Sequence, residues 1–274
     1  LHLSGACDRQ TWLALVEAGW KLGDRLLIHT APNLRGDDVA ALQDALNHLG
    51  FDCGRPDGIL GGATARALED FQRNAGLTPD GVCGPRTVRT LALVGRQSGT
   101  GPGVASVRES TSMDAQMALH TLRIVVGQFG GLSSITRALA RSLRQHGATV
   151  MSTDEYEAAA QAAAANRFGA TLYIGFEAVA NERSAISYFA VPTFESVGGR
   201  AVADAAVRSL TGVLHVPPSL HGMRLPVLRE TRMPAVLLSL GPVRSVVDDT
   251  DAITLAVVEA IATWATSPLG SLGH

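Results

Sequence analysis

Asp57-Gly58-Ile59-Leu60-Gly61-Gly62-Ala63-Thr64, running on to Leu68, returns as Asp80-Gly81-Val82-Cys83-Gly84-Pro85-Arg86-Thr87, running on to Leu91. A worn third copy, Ser4-Gly5-Ala6-Cys7-Asp8-Arg9-Gln10-Thr11, reaches Leu15. The shared template is D-G-x-x-G-x-x-T-x-x-x-L, and each part has a physical task. Asp-Gly makes a tight turn in which Gly takes a positive φ. The second Gly lets the chain bend before a helix, and Thr falls in the first helical turn or near its cap. The Leu one turn further enters the core. Asp57, Gly58, Thr64, Asp80, Gly81 and Thr87 are therefore the candidate binding positions of this half of the chain. The simpler account of the same residues is that they shape turns.

Working outward, Val39, Leu42, Leu46 and Leu49 keep helical spacing, with Asp37 or Asp38 as the cap and Gly50 as the stop. Ala65 to Phe71 reads as a second short helix ending in Phe71-Gln72, and Val16 to Arg25 as a joining helix. The order G-D-D-V-x-x-L-Q-x-x-L-x-x-L-G-F, then D-G-x-x-G-x-x-T, then A-L-x-x-F-Q, then the second D-G-x-x-G-x-x-T, resembles the peptidoglycan-binding domain 1 family, a small all-α three-helix module. Residues 34–94 cover one whole module. Residues 1–33 read as the tail of a preceding copy plus the joining helix. The resemblance implies a fold; some members bind muropeptide and others bind only proteins.

Residues 95–120 change to Gly, Ser, Thr and Pro with no periodic apolar face, which predicts a flexible linker. Residues 121–268 then alternate. Strands are expected at Leu122 to Val126, Ala148 to Met151, Leu172 to Phe176, Ala185 to Val191 and Ala235 to Leu240. Helices are expected at Ile135 to Leu143, Tyr156 to Phe168, Val197 to Leu210 and Ile253 to Trp264. This order predicts an α/β domain, a mostly parallel sheet covered by helices, with residues 269–274 as a tail.

Val227-Leu228-Arg229-Glu230-Thr231 with Met233-Pro234-Ala235-Val236-Leu237-Leu238-Ser239-Leu240-Gly241 resembles the V-L-R-x-T-x-M-P-A-V-L-V-E-L-G strand of zinc N-acetylmuramoyl-L-alanine amidases, the amidase 3 family. Ala165-Asn166 with Gly169-Ala170-Thr171-Leu172-Tyr173-Ile174, and Ile124 to Gly131, resemble two further segments of it, A-N-x-x-G-A-D-L-F-I-S-I-H and I-I-D-P-G-H-G-G. Such amidases hold one zinc with two His and one Glu, and a second Glu serves as base. Carried over by position, the ligands fall on Phe129, Leu132 and Glu177, and the base falls on Ser239. Phe and Leu cannot ligate a metal, and Ser is no base at neutral pH without a partner. The resemblance thus implies an amidase fold with vestigial positions, no catalytic residues and no zinc cofactor. His215 and His221, in a stretch read as a loop, are the remaining candidates for a displaced metal site.

Bulk properties narrow the rest. The 274 residues are 46% hydrophobic and 18% charged, with net charge −2, so nothing global points to nucleic acid or an anionic membrane. No apolar run has the roughly 20 residues of a spanning helix. Cys7, Cys53 and Cys83 form neither a disulfide framework nor a C-x-x-C pair, which leans toward buried thiols and a reducing compartment. Paired modules and an eroded amidase domain resemble the cytoplasmic amidase-like regulators of peptidoglycan precursor synthesis in actinobacteria. The reading that follows is a non-catalytic regulator or scaffold in the cytoplasm, whose partners are proteins of peptidoglycan precursor synthesis. A signal peptide upstream of Leu1 would instead give an exported wall-binding protein with muropeptide as ligand. Stoichiometric zinc would give a working amidase with an unusual site.

Overall fold

The computed structural model describes residues 9–95, 103–104, 117–191 and 194–268. The chain divides into two compact units, Leu1–Arg108 and Glu109–His274. Most of the expected linker (96–102 and 105–116), the expected tail, most of the worn first repeat and Cys7 lie outside the described residues.

In the first unit, α1 spans Arg9–Gly19, α2 Asp37–His48, α3 Gly62–Asn74 and α4 Pro85–Gly95. The expected joining helix is corrected: α1 stops at Gly19, and the chain up to Arg25 turns. Neither Asp37 nor Asp38 caps α2. Gly36 holds that position without a side-chain bond, and Asp38 is fully buried inside the helix. The Asp38 carboxylate accepts from Arg25 Nε at 2.7 Å and Nη2 at 3.1 Å, and Arg25 also lies 4.7 Å over the Trp20 ring. A buried carboxylate is tolerable only with such a partner, so Asp38 ties the segment before α2 to the module instead of starting the helix. Val39, Leu42, Leu46, Leu60, Leu68, Phe71, Cys83 and Leu91 form the core.

The second unit opens with a 3₁₀ turn at Leu119–Thr121 and continues β1 Arg123–Gln128, α5 Ser133–Gln145, β2 Thr149–Thr153, α6 Ala158–Phe168, β3 Leu172–Ala178 and β4 Ala185–Val191. It ends with β5 Phe194–Glu195, α7 Val197–Leu210, β6 Ser219–Met223, α8 Pro226–Glu230, β7 Ala235–Leu240, α9 Val243–Asp248 and α10 Thr250–Thr266. The strand order is β2-β1-β3-β7-β4-β5, with β6 beside β4. β2, β1, β3 and β7 run parallel; β4 is antiparallel to β7 and β5 and parallel to β6. The sheet is mixed, flanked by helices on both faces.

Strand alternation sorts the two faces. Ile124, Val126, Leu172, Ile174, Phe176, Val236, Leu238 and Leu240 join the large apolar cluster with α5, α7 and α10. Tyr173, Gly175 and Glu177 of β3 and Ala235, Leu237 and Ser239 of β7 take the opposite face. There the Tyr173 hydroxyl donates to Gln161 Oε1 on α6 at 2.6 Å. Gly127 is required beside that bond, since an added Cβ would stand 2.6 Å from the Tyr173 hydroxyl.

Candidate functional site

The repeat motif is built around a buried glutamine from the preceding helix. Gln43 Nε2, on α2, contacts Asp57 Oδ1 at 2.8 Å, the Ile59 carbonyl at 3.1 Å and Thr64 Oγ1 at 3.1 Å. The Gly58 amide donates to Gln43 Oε1 at 2.8 Å. Gln72, on α3, repeats the set: Nε2 contacts Asp80 Oδ1 at 2.9 Å, the Val82 carbonyl at 3.0 Å and Thr87 Oγ1 at 3.4 Å, and the Gly81 amide donates to Oε1 at 3.0 Å. Each Asp also accepts the amide two residues on, from Ile59 at 2.8 Å and Val82 at 2.9 Å. These bonds hold the Asp80 carboxyl below the ordinary carboxylate value, the Val82 amide foremost and the Gln72 amide second. Gly58 and Gly81 have φ of 73° and 67°, which the turn demands.

All six candidate binding residues are therefore engaged in closing a loop over a glutamine. Both glutamines stand in the sequence pattern, as Leu42-Gln43 and Phe71-Gln72. Their separations from the Asp they serve, 14 and 8 residues, hide that they perform one job.

In the second unit the four positions carried over from the amidase resemblance do not converge. Glu177 and Ser239 are brought together as neighbours on the β3–β7 ladder, and the Ser239 hydroxyl donates to Glu177 Oε2 at 3.1 Å. Phe129 follows β1 directly and is half-buried; its amide donates to the Phe176 carbonyl at 2.9 Å. These three residues occupy the carboxyl ends of adjacent parallel strands, where open α/β sheets bind ligands. Leu132 is elsewhere. It is fully buried in the apolar cluster beneath α5, on the sheet face opposite Glu177.

The stretch read as a loop around His215 and His221 is also corrected. His221 lies in β6, paired at the level of Ser187, and Ser219 Oγ is 2.9 Å from its Nε2; His215 is exposed before the strand. Among the described residues no three His, Cys, Asp or Glu side chains gather as a metal-ligand set. Zinc needs at least three protein ligands in close geometry. Phe129 and Leu132 offer no ligand atom, and Glu177 is a single carboxylate already engaged by Ser239. The residues present do not fit the metal. Among the described residues no helix is long and apolar enough to cross a membrane.

The family "Putative peptidoglycan binding domain" (PG_binding_1) matches residues 35–91. The chain is 47% identical over 79 residues to N-acetylmuramoyl-L-alanine amidase CwlM of Mycobacterium tuberculosis, a match covering 28% of this chain and 19% of that protein. The chain thus spans about a fifth of the length of that relative. Among solved structures, the amidase AmiC2 of Nostoc punctiforme superposes with a TM-score of 0.43 at 20% identity, covering 52% of this chain and 96% of that one. The amidase Ami1 of Mycobacterium smegmatis superposes with a TM-score of 0.46 at 13% identity, covering 56% and 100%. Residues 35–91 are a peptidoglycan-binding-type module.

Proposed function

We propose that this protein is a non-catalytic, amidase-like regulator or scaffold of peptidoglycan biosynthesis that works through protein contacts in the cytoplasm. One observation carries the reading. At the carboxyl ends of β1, β3 and β7 the chain presents Phe129 and a Ser239–Glu177 hydrogen bond, and its remaining ligand-equivalent position, Leu132, is core. Phe129 and Leu132 supply no ligand atom, and the one carboxylate there, Glu177, accepts from Ser239, so these positions hold no metal that would acidify a water. The peptidoglycan-binding module and the similarity to CwlM support a role in cell-wall metabolism, and proteins of precursor synthesis are the partners proposed. The test is metal analysis of the purified chain, paired with an assay for stem-peptide release from peptidoglycan. Substoichiometric zinc and no release are expected. Near-stoichiometric zinc with measurable amide cleavage would overturn the proposal and restore an enzyme. Retention on isolated cell-wall sacculi, without a protein partner, would move the role to wall binding outside the cell.

A further inference from the structure

Outside that site, the helix α5 carries Arg137, Arg141 and Arg144 and no acidic residue. Spaced i, i+4 and i+7, the three share one exposed side while Ile135, Leu139 and Leu143 face the core. A groove of about 480 Å³ runs along them, lined also by Ala140, Gln145 and Ser152 of β2. No carboxylate lines it. Asp154, Glu155 and Glu157, which follow β2, are not among its walls. Among the described residues none of the three guanidiniums has an ion-pair partner, whereas helices elsewhere in this chain show mixed pairs such as Arg73–Asp70 and Arg200–Asp204. In a chain of net charge −2, three unpaired cations on one groove are a local field of the opposite sign.

Two of these side chains are held in place. Arg137 Nε donates to the Ser133 carbonyl at 3.1 Å, and Arg144 Nη2 donates to the Val150 carbonyl at 2.9 Å. Both keep further N–H groups free for an acceptor, and Arg141 keeps all of its own. β2 is the terminal strand of the sheet, and Ser152 is exposed on it.

We infer that this groove docks an acidic peptide segment of a partner protein, extended along α5 beside β2, with carboxylates set against Arg137 and Arg141. The spacing favours a peptide. Four helical residues advance about 6 Å, close to the roughly 6.6 Å between same-side residues of an extended chain. Carboxylates at alternate positions therefore meet successive arginines, and each pair can be bidentate. The inference rests on the reading that the protein acts through protein contacts, and names the surface.

The experiment uses the full chain and a fluorescein-labelled peptide alternating Glu with Thr, followed by anisotropy at low and physiological salt. Both arginines are exposed and Ala favours helix, so R137A/R141A retains the fold, checked by circular dichroism. The expected result is a loss of affinity of about tenfold or more in R137A/R141A, with little change in R183A/R244A, which removes the same charge from exposed sites elsewhere. Equal losses in the two variants would overturn the inference by showing unspecific attraction. Unchanged affinity in R137A/R141A would overturn it directly. Displacement by inorganic phosphate or pyrophosphate at lower concentration than unlabelled peptide would replace the peptide with a phosphoryl ligand. Zinc and amide cleavage in the same preparation would remove the regulator reading without altering the peptide affinity, so the two failures are distinguishable.

Discussion

Gln43→Leu tests whether the glutamine organises the module. Leu is close to Gln in volume and fills a position that is 1% exposed, so packing loss is small. What disappears is a set of four polar contacts: three from Nε2, one of them to the Asp57 carboxylate, and one from the Gly58 amide to Oε1. Orphaned buried groups cost about 1–3 kcal/mol each, and bonds to charged groups stand at the upper end. The Asp57 carboxylate keeps the Ile59 amide, and Ile59 is only half-buried, which softens two of the losses. The Gly58 amide and the Thr64 hydroxyl are buried with no such relief. A total of about 3–5 kcal/mol follows, against a stability of roughly 3–9 kcal/mol for a module of this size. Gln72→Leu should cost slightly less, because its Thr contact is 3.4 Å rather than 3.1 Å. Hydrogen exchange resolved by peptide mass spectrometry on the full chain reads the effect at residues 57–64 and 80–87 separately. Loss of protection in the loop each glutamine serves is expected. Protection at Gly58 unchanged, with a stability loss below about 1 kcal/mol, would refute the cage.

Two further outcomes follow from burial and from close backbone packing. Burial pushes the thiols of Cys53 and Cys83 up to about 12, so both should resist alkylation at pH 8 in the native state and react on unfolding. Since the folded state favours the neutral thiol, their contribution to stability is whole below the ordinary thiol value of 9.0 and falls as pH rises toward 12; denaturation across that range checks the sign. Gly241→Ala sets a Cβ against the backbone carbonyls of Val179 and Asn181, which no rotamer change relieves; a loss of about 1–3 kcal/mol in calorimetric unfolding is expected.

Much of the fold was legible because its signals are local. Gly147 and Gly169, both at positive φ, stop α5 and α6 where the apolar periodicity ends. The mostly apolar runs of β1, β3 and β7 read as buried parallel strands. β6 was missed for an equally physical reason. Ser219-Leu220-His221-Gly222-Met223 is mostly exposed and contains Gly, so neither alternation nor β-branching marks it. Pairing with β4 makes it a strand, and that partner lies about thirty residues away in sequence. The site was less legible. Position by position the chain lacks ligands, but only the fold shows that Leu132 faces the core while Glu177 and Ser239 meet on the opposite face.

That difference in face governs any attempt to rebuild the metal site. Replacing all four positions, by Phe129→His, Leu132→Glu, Glu177→His and Ser239→Glu, buries an unpaired carboxylate where Leu132 is 0% exposed. The lost Leu and the stranded charge together cost on the order of 5 kcal/mol, comparable with the whole stability of a domain of this kind, about 5–15 kcal/mol. The fourfold variant should therefore lose its cooperative thermal transition, with or without zinc. The triple variant that leaves Leu132 in place restores two of the three ligand positions, 129 and 177, and the base position, 239, at the adjacent ends of β1, β3 and β7. It should fold, but it should bind zinc only weakly by isothermal titration and release no stem peptide, because the third ligand position stays apolar and two histidines do not fix the metal. A fourfold variant with the unchanged melting temperature, one zinc per chain and amide cleavage would show that position 132 belongs to the site after all. The core packing described for it would then be wrong.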